Sequence, residues 1–184
     1  MSIMSVSYVV LWMLVLALTV FAIMISKKPK RVLGLNNSGL PVGASFPRFN
    51  AQSVTSDLPF NIVYAERKET LLLFSSSLCP VCSTVYPLFP YAEQKYNLKA
   101  QVIMESTDDG VASIVEKIES TGLHAPVYAL TPHMKEEVRL EGFPFAYFLS
   151  AEGKVLAKGV INSIPDIDLL VSQGRRAAMR KRAG

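Results

Sequence analysis

Cysteine, histidine and evenly spread charge are all scarce in this 184-residue chain, and each shortage excludes something. Two cysteines, Cys79 and Cys82, cannot form the disulfide framework that staples small secreted domains. With His124 and His133 as the only imidazoles, a structural zinc site would need both of them together with both cysteines, and a lone histidine is more often a surface or satisfied residue than a ligand, so no metal is expected. No charge occurs in residues 1–26 or 32–47, and no acidic residue precedes Asp57. There is no internal repeat. Besides its apolar start, the length allows one domain of ordinary size and no second core.

The first charge-free stretch, "VSYVVLWMLVLALTVFAIMI" at residues 6–25, is twenty residues long. As a helix it would rise about 30 Å, the thickness of a bilayer's hydrocarbon layer, so it reads as one transmembrane helix. A cleaved signal peptide fits less well, because there is no basic n-region, the apolar run exceeds an h-region, and no small-residue cleavage site follows.

The formal net charge of +4 hides an uneven distribution. Lys27, Lys28, Lys30 and Arg31 follow the apolar run, and Arg175, Arg176, Arg180, Lys181 and Arg182 lie near the C-terminus. Residues 32–174 carry 10 basic against 15 acidic side chains, a net of −5, so nucleic acid is not an expected partner. The basic flanks suit anionic lipid headgroups, at roughly 1 kcal/mol per charge near the surface, and equally suit plain solvated charges at an anchor end and a solvated, frayed tail. Lysines and arginines beside a membrane helix favour the cytoplasmic side, which by itself places the following domain inside the cell.

These features divide the chain into an anchor with its basic flank (residues 1–31), a Gly-, Asn- and Pro-containing linker (32–44), a domain (45–174) and a basic tail (175–184). Leu71, Leu72, Leu73 and Phe74 read as a buried strand, residues 101–106 and 126–130 as two more, and residues 145–150 and 154–161 as a hairpin around "AEG". Helical patterns cover residues 80–96, 110–120, 132–140 and 165–173. Strands alternating with helices and then a closing hairpin and helix imply an α/β fold, a central mixed sheet flanked by helices.

A disulfide across "CPVC" would close so short a loop that chain entropy contributes only about 2 kcal/mol, and it would join no separate elements. Redox chemistry uses the local sequence better. Cys79 follows a strand and precedes Pro80, a residue favoured in the first turn of a helix, so the thiol sits at or beside the helix N-cap. Unpaired N–H groups and the helix dipole there favour a thiolate, making Cys79 the nucleophile. Cys82, one turn further, is placed to resolve the mixed disulfide. Because soft thiolates also suit Cu(I), a copper-holding domain using both sulfurs with His124 or His133 is a competing expectation.

Cys79, Pro80, Val81 and Cys82, with Pro87 five positions later, resemble the active-site helix of thioredoxin-like proteins. "GFPFAYFLSAEGKVLAKG" resembles their final hairpin, which implies that Pro144 is the cis-proline facing the cysteines and that the backbone at Phe143 pairs with a substrate segment. With "SYVVLWMLVLAL" at the start, the chain resembles the MauD family of membrane-anchored thioredoxin-like proteins of methylamine utilisation. The resemblance implies a thiol–disulfide oxidoreductase with Cys79 and Cys82 as its redox disulfide, without a cofactor, its domain on the extracytoplasmic side. Its partners would be thiols and disulfides of exported clients, the lipid bilayer, and a membrane redox partner that recycles the pair. Family members are implicated in maturing the disulfide-rich small subunit of methylamine dehydrogenase.

Two residues depart from the pattern. Leu73 stands where thioredoxins keep a proton-relaying aspartate, leaving Glu105, Glu141 or water as acceptor, and Ser83 stands where many MauD-like sequences have lysine.

Overall fold

The apolar run after Glu69 becomes the middle of a five-stranded sheet. The computed structural model describes residues 3–26, 38–49, 53–55 and 68–183. Its elements are α1 (Ile3–Ser26), β1 (Thr70–Ser76), α2 (Pro80–Ser83), a 3-10 turn (Tyr86–Leu88), α3 (Phe89–Tyr96), β2 (Lys99–Glu105), α4 (Val111–Thr121), β3 (Val127–Ala129), α5 (Pro132–Glu137), β4 (Phe145–Leu149), β5 (Val155–Gly159) and α6 (Ile164–Ala183). The chain divides into two compact units, Met1–Val32 and Leu33–Gly184.

In the first unit, residues 6–25 fall within α1, where the described side chains are Tyr8 and residues 10–20. Among the described residues no helix is long and apolar enough to cross a membrane. The basic run at Lys27, Lys28, Lys30 and Arg31, and residues 32–37 of the expected linker, lie outside the described residues.

In the second unit the sheet order is β3-β2-β1-β4-β5. β1 pairs in parallel with β2, and β2 with β3, while β1–β4 and β4–β5 are antiparallel. The sheet is mixed, as the strand and helix order implied. Strand alternation splits the leucine run between two cores. Leu71 and Leu73 join Cys82, Phe89, Ile114, Phe148 and Leu170 on the face covered by α2, α3, α4 and α6. Leu72 and Phe74 join Phe46, Tyr128, Met134, Val138 and Tyr147 on the face covered by α5 and the segment through Phe46 and Phe49. A strand buried on both sides cannot alternate polar with apolar residues, which is why β1 reads as a continuous apolar run.

Three stretches differ in extent from their sequence patterns. Residues 38–40 pack on the domain: Ser38 is fully buried, the Leu40 amide donates to Tyr147 Oη (2.9 Å), and Lys158 Nζ donates to the Ser38 carbonyl (2.7 Å). Gly39 has φ +78°, and a Cβ there would strike Tyr147 Oη and the Phe145 ring, so this part of the glycine-rich stretch is shaped by a close approach to the core. The helix expected over residues 80–96 is instead one turn, a 3-10 turn and then α3, because Pro87 and Pro90 lack N–H groups and the intervening amides of Thr84, Val85 and Leu88 bond three residues back. α6 continues to Ala183, well past residue 173. Gly174 lies inside it, where a Cβ would come within 2.5 Å of Phe148 Cδ1.

Candidate active site

The register brings three chain segments to one end of the sheet. Ser76 pairs with Glu105 where β1 and β2 end, and Phe74 pairs with Phe145 where β4 begins. The cysteine turn leaving β1, the end of β2 and the Phe143–Pro144 segment entering β4 are therefore neighbours at the carboxyl end of the parallel strands, where open α/β sheets place their sites.

Backbone hydrogen bonds fix the turn. The Ser77 amide donates to the Glu105 carbonyl (3.0 Å) and the Cys79 amide to the Ser76 carbonyl (3.0 Å). Cys79 is the N-cap of α2 with extended backbone, and its Sγ accepts the Cys82 N–H at 3.1 Å. α2 is a single turn, so the backbone group that meets Cys79 Sγ is this local N–H and not the end of a long helix dipole. Cys79 and Cys82 form a disulfide. The sulfurs differ in access: Cys82 is fully buried, Cys79 only partly. Leu78 is 76 % and Val81 48 % exposed, so apolar side chains rim the reachable sulfur.

The Phe143–Pro144 peptide is cis, and Pro144 is buried. Phe143 is partly buried and packs on both cores, one of which also carries Cys79 and Cys82. All four residues singled out in the sequence thus lie at one end of the sheet.

Two polar groupings there have no signal in the sequence. Beneath the turn, the Ser75 and Tyr86 hydroxyls are 2.5 Å apart, both inside the apolar core. Burial pushes the Tyr86 phenol above its ordinary pKa, and the Ser75 hydrogen bond offsets part of that rise. Beside the turn, Lys135 Nζ on α5 lies 2.7 Å from Glu105 Oε1 and 5.5 Å from the centre of the Phe143 ring. Leu73 is fully buried among apolar side chains, so the missing aspartate is not replaced locally. Of the expected acceptors, Glu105 is engaged by Lys135, and Glu141 is exposed.

Among the described residues no group of three or more His, Cys, Asp and Glu side chains could hold a metal ion. His124 is exposed, and His133 Nε2 is 3.5 Å from Glu137 Oε2 on the exposed side of α5.

No family model matches the chain. Among curated proteins it is similar to the methylamine utilization protein MauD of Methylorubrum extorquens, with 24% identity over 177 residues, 90% of this chain and 83% of the relative. The MauD of Paracoccus versutus matches at 22% over 175 residues, 90% and 86% of the two chains. The chain is similar to MauD along most of its length and has a thioredoxin-like fold. The solved structures similar to this chain include a DsbE-type thiol:disulfide interchange protein from Chlorobium tepidum (TM-score 0.60, 20% identity, 75% of this chain and 98% of the other). They also include the thioredoxin domain of a thiol-disulfide oxidoreductase from Bacteroides vulgatus (0.60, 20%, 73% and 97%) and a thio-disulfide isomerase from Thermus thermophilus (0.57, 17%, 73% and 98%).

Proposed function

We propose that this chain is a membrane-anchored thiol–disulfide oxidoreductase acting on exported proteins, with Cys79 exchanging and Cys82 resolving. The observation that carries this reading is the pairing of a reachable Cys79 with an unreachable Cys82 beside the Phe143–Pro144 segment. An entering client can meet only one sulfur. A client thiolate attacks Cys79 Sγ, the Cys79–Cys82 bond breaks, and Cys82 leaves as thiolate while a mixed disulfide forms. The client's second thiolate then attacks its own half of that bond and releases Cys79, so two electrons pass from client to protein. The reverse sequence reduces a client disulfide. A membrane redox partner returns the pair to its starting state, and Phe143 offers backbone to an extended client segment.

The apolar run at residues 6–25 supports anchoring, and similarity to a methylamine utilization protein supports a role in methylamine utilisation. An extracytoplasmic domain and maturation of methylamine dehydrogenase are part of the proposal as what the sequence resemblance implies. The test is covalent capture. Cys82→Ser should accumulate mixed disulfides on Cys79 that the double variant Cys79→Ser, Cys82→Ser does not, and equal yields from the two would reject the reading. A reporter fused after Gly184 tests sidedness, and activity of one that works only in the cytoplasm would overturn the extracytoplasmic placement. If cells grown on methylamine yield no methylamine dehydrogenase subunit among the trapped clients, that assignment fails separately.

A further inference from the structure

The pair formed by Lys135 and Glu105 lies about 30 residues apart in sequence and joins the two walls of the site. Glu105 holds the cysteine turn through its carbonyl, which accepts the Ser77 amide at 3.0 Å, and holds Lys135 through its carboxylate at 2.7 Å. Lys135 in turn sets its ammonium 5.5 Å from the centre of the Phe143 ring, on the opposite wall. As an ion pair alone this contributes little, because the two side chains are 41 % and 34 % exposed and exposed pairs are screened by water. Its geometric effect is larger than its contribution to stability. Phe143 is only partly buried, so packing alone leaves its ring less constrained than a fully enclosed one, and the cation fixes one face of it.

We propose that Lys135, held by Glu105, is a positioning residue that orders Phe143 for docking of an extended client segment. This rests on the oxidoreductase reading above. A client pairing with the Phe143 backbone must wait for that segment to be ordered, and pre-ordering it removes the cost from the binding step. The effect therefore belongs to docking and not to sulfur chemistry.

Two disulfide probes separate these steps. One is an extended peptide whose single cysteine is joined to thionitrobenzoate, and the other is the small disulfide dithionitrobenzoate, which has no segment to dock. In both, the reduced protein's Cys79 thiolate attacks and expels coloured thionitrobenzoate. Cys82 then attacks Cys79, releasing the peptide thiol or a second thionitrobenzoate and re-forming the Cys79–Cys82 bond. With the full chain in detergent, Lys135→Met should raise KM for the peptide about two- to fivefold, the range of a partly exposed cation–aromatic contact. The maximal rate and the reaction with dithionitrobenzoate should stay at wild-type values. Lys135→Arg should restore KM, and Lys135→Met added to Phe143→Leu should raise KM no further than Phe143→Leu alone. An unchanged KM, an equal loss with both probes, or additivity with Phe143→Leu overturns the proposal. Failure of the wild-type protein to react with either probe overturns the oxidoreductase reading itself, and the proposal with it.

Discussion

Removing one hydroxyl of the Ser75–Tyr86 pair should destabilise the domain more than removing both. The oxygens are 2.5 Å apart beneath the cysteine turn, Ser75 is 0% and Tyr86 3% exposed, and their surroundings are apolar. Tyr86→Phe leaves the Ser75 Oγ buried without a partner, and Ser75→Ala does the same to the Tyr86 phenol. Each orphaned group costs about 1–3 kcal/mol, whereas deleting both forfeits only the net value of one hydrogen bond, about 0.5–1.5 kcal/mol. For a domain of this size 1 kcal/mol moves the unfolding midpoint by roughly 2–4 °C. Each single variant should therefore unfold about 2–12 °C lower and the double variant only about 1–6 °C lower, read by circular dichroism on the oxidised chain in mild detergent. Alkaline pH supplies a second check. The folded phenol titrates above its ordinary value of 10.0, so wild type keeps the pair's contribution below that pH and loses it as pH rises toward the folded value. Tyr86→Phe lacks this loss. A double variant whose loss equals the sum of the singles would refute the coupling.

Three further outcomes follow from particular contacts. Gly174→Ala, which in an exposed helix would gain about 1 kcal/mol, should instead lower stability by about 1–2 kcal/mol, because the new Cβ comes within 2.5 Å of Phe148 Cδ1 in a close-packed core; a thermal midpoint at or above wild type would contradict this. Burial tends to raise the pKa of Asp168, but hydrogen bonds from Tyr96, Lys95 and Tyr91 outweigh it and hold the carboxyl below its usual 3.8. The stability difference between wild type and Asp168→Asn should accordingly be constant above about pH 5 and shrink as pH falls below the ordinary aspartate range, and a difference that persists at pH 2 would count against it. After reduction, iodoacetamide should label Cys79 in the native protein and Cys82 only when urea is added, since Cys82 is fully buried; equal native labelling by mass spectrometry would contradict the assigned asymmetry.

The parts of the molecule legible in the sequence are those decided by local pattern. The doubly buried β1, the "AEG" hairpin between β4 and β5, and the cysteine turn at a strand end each carry their signal within a few residues. What was not legible depends on partners distant in sequence. The helical pattern ends at residue 173, although α6 runs on past Gly174, which lies against Phe148, and Arg175, counted with a solvated tail, donates to Glu69 Oε2 at 2.6 Å and to the Tyr96 carbonyl at 2.7 Å, tying α6 to the start of β1 and the end of α3. Lys135 belongs to an ordinary polar helix face by periodicity, and only the β1–β2 register places Glu105 where it can hold that lysine.

The substitution at Leu73 is the place where sequence and structure constrain the chemistry together. A leucine there preserves the core packing of β1, since Leu73 is fully enclosed by apolar side chains. It also means that among the described residues no aspartate or glutamate is buried, so no interior carboxylate waits to take the proton from Cys82. The proton of that thiol is then left to water at the open side of the turn. The resolving step should therefore follow bulk pH more simply than in proteins with the interior acid. Restoring that acid by Leu73→Asp would force a carboxyl into a site without polar partners, where it would stay protonated and cost stability instead of supplying a relay.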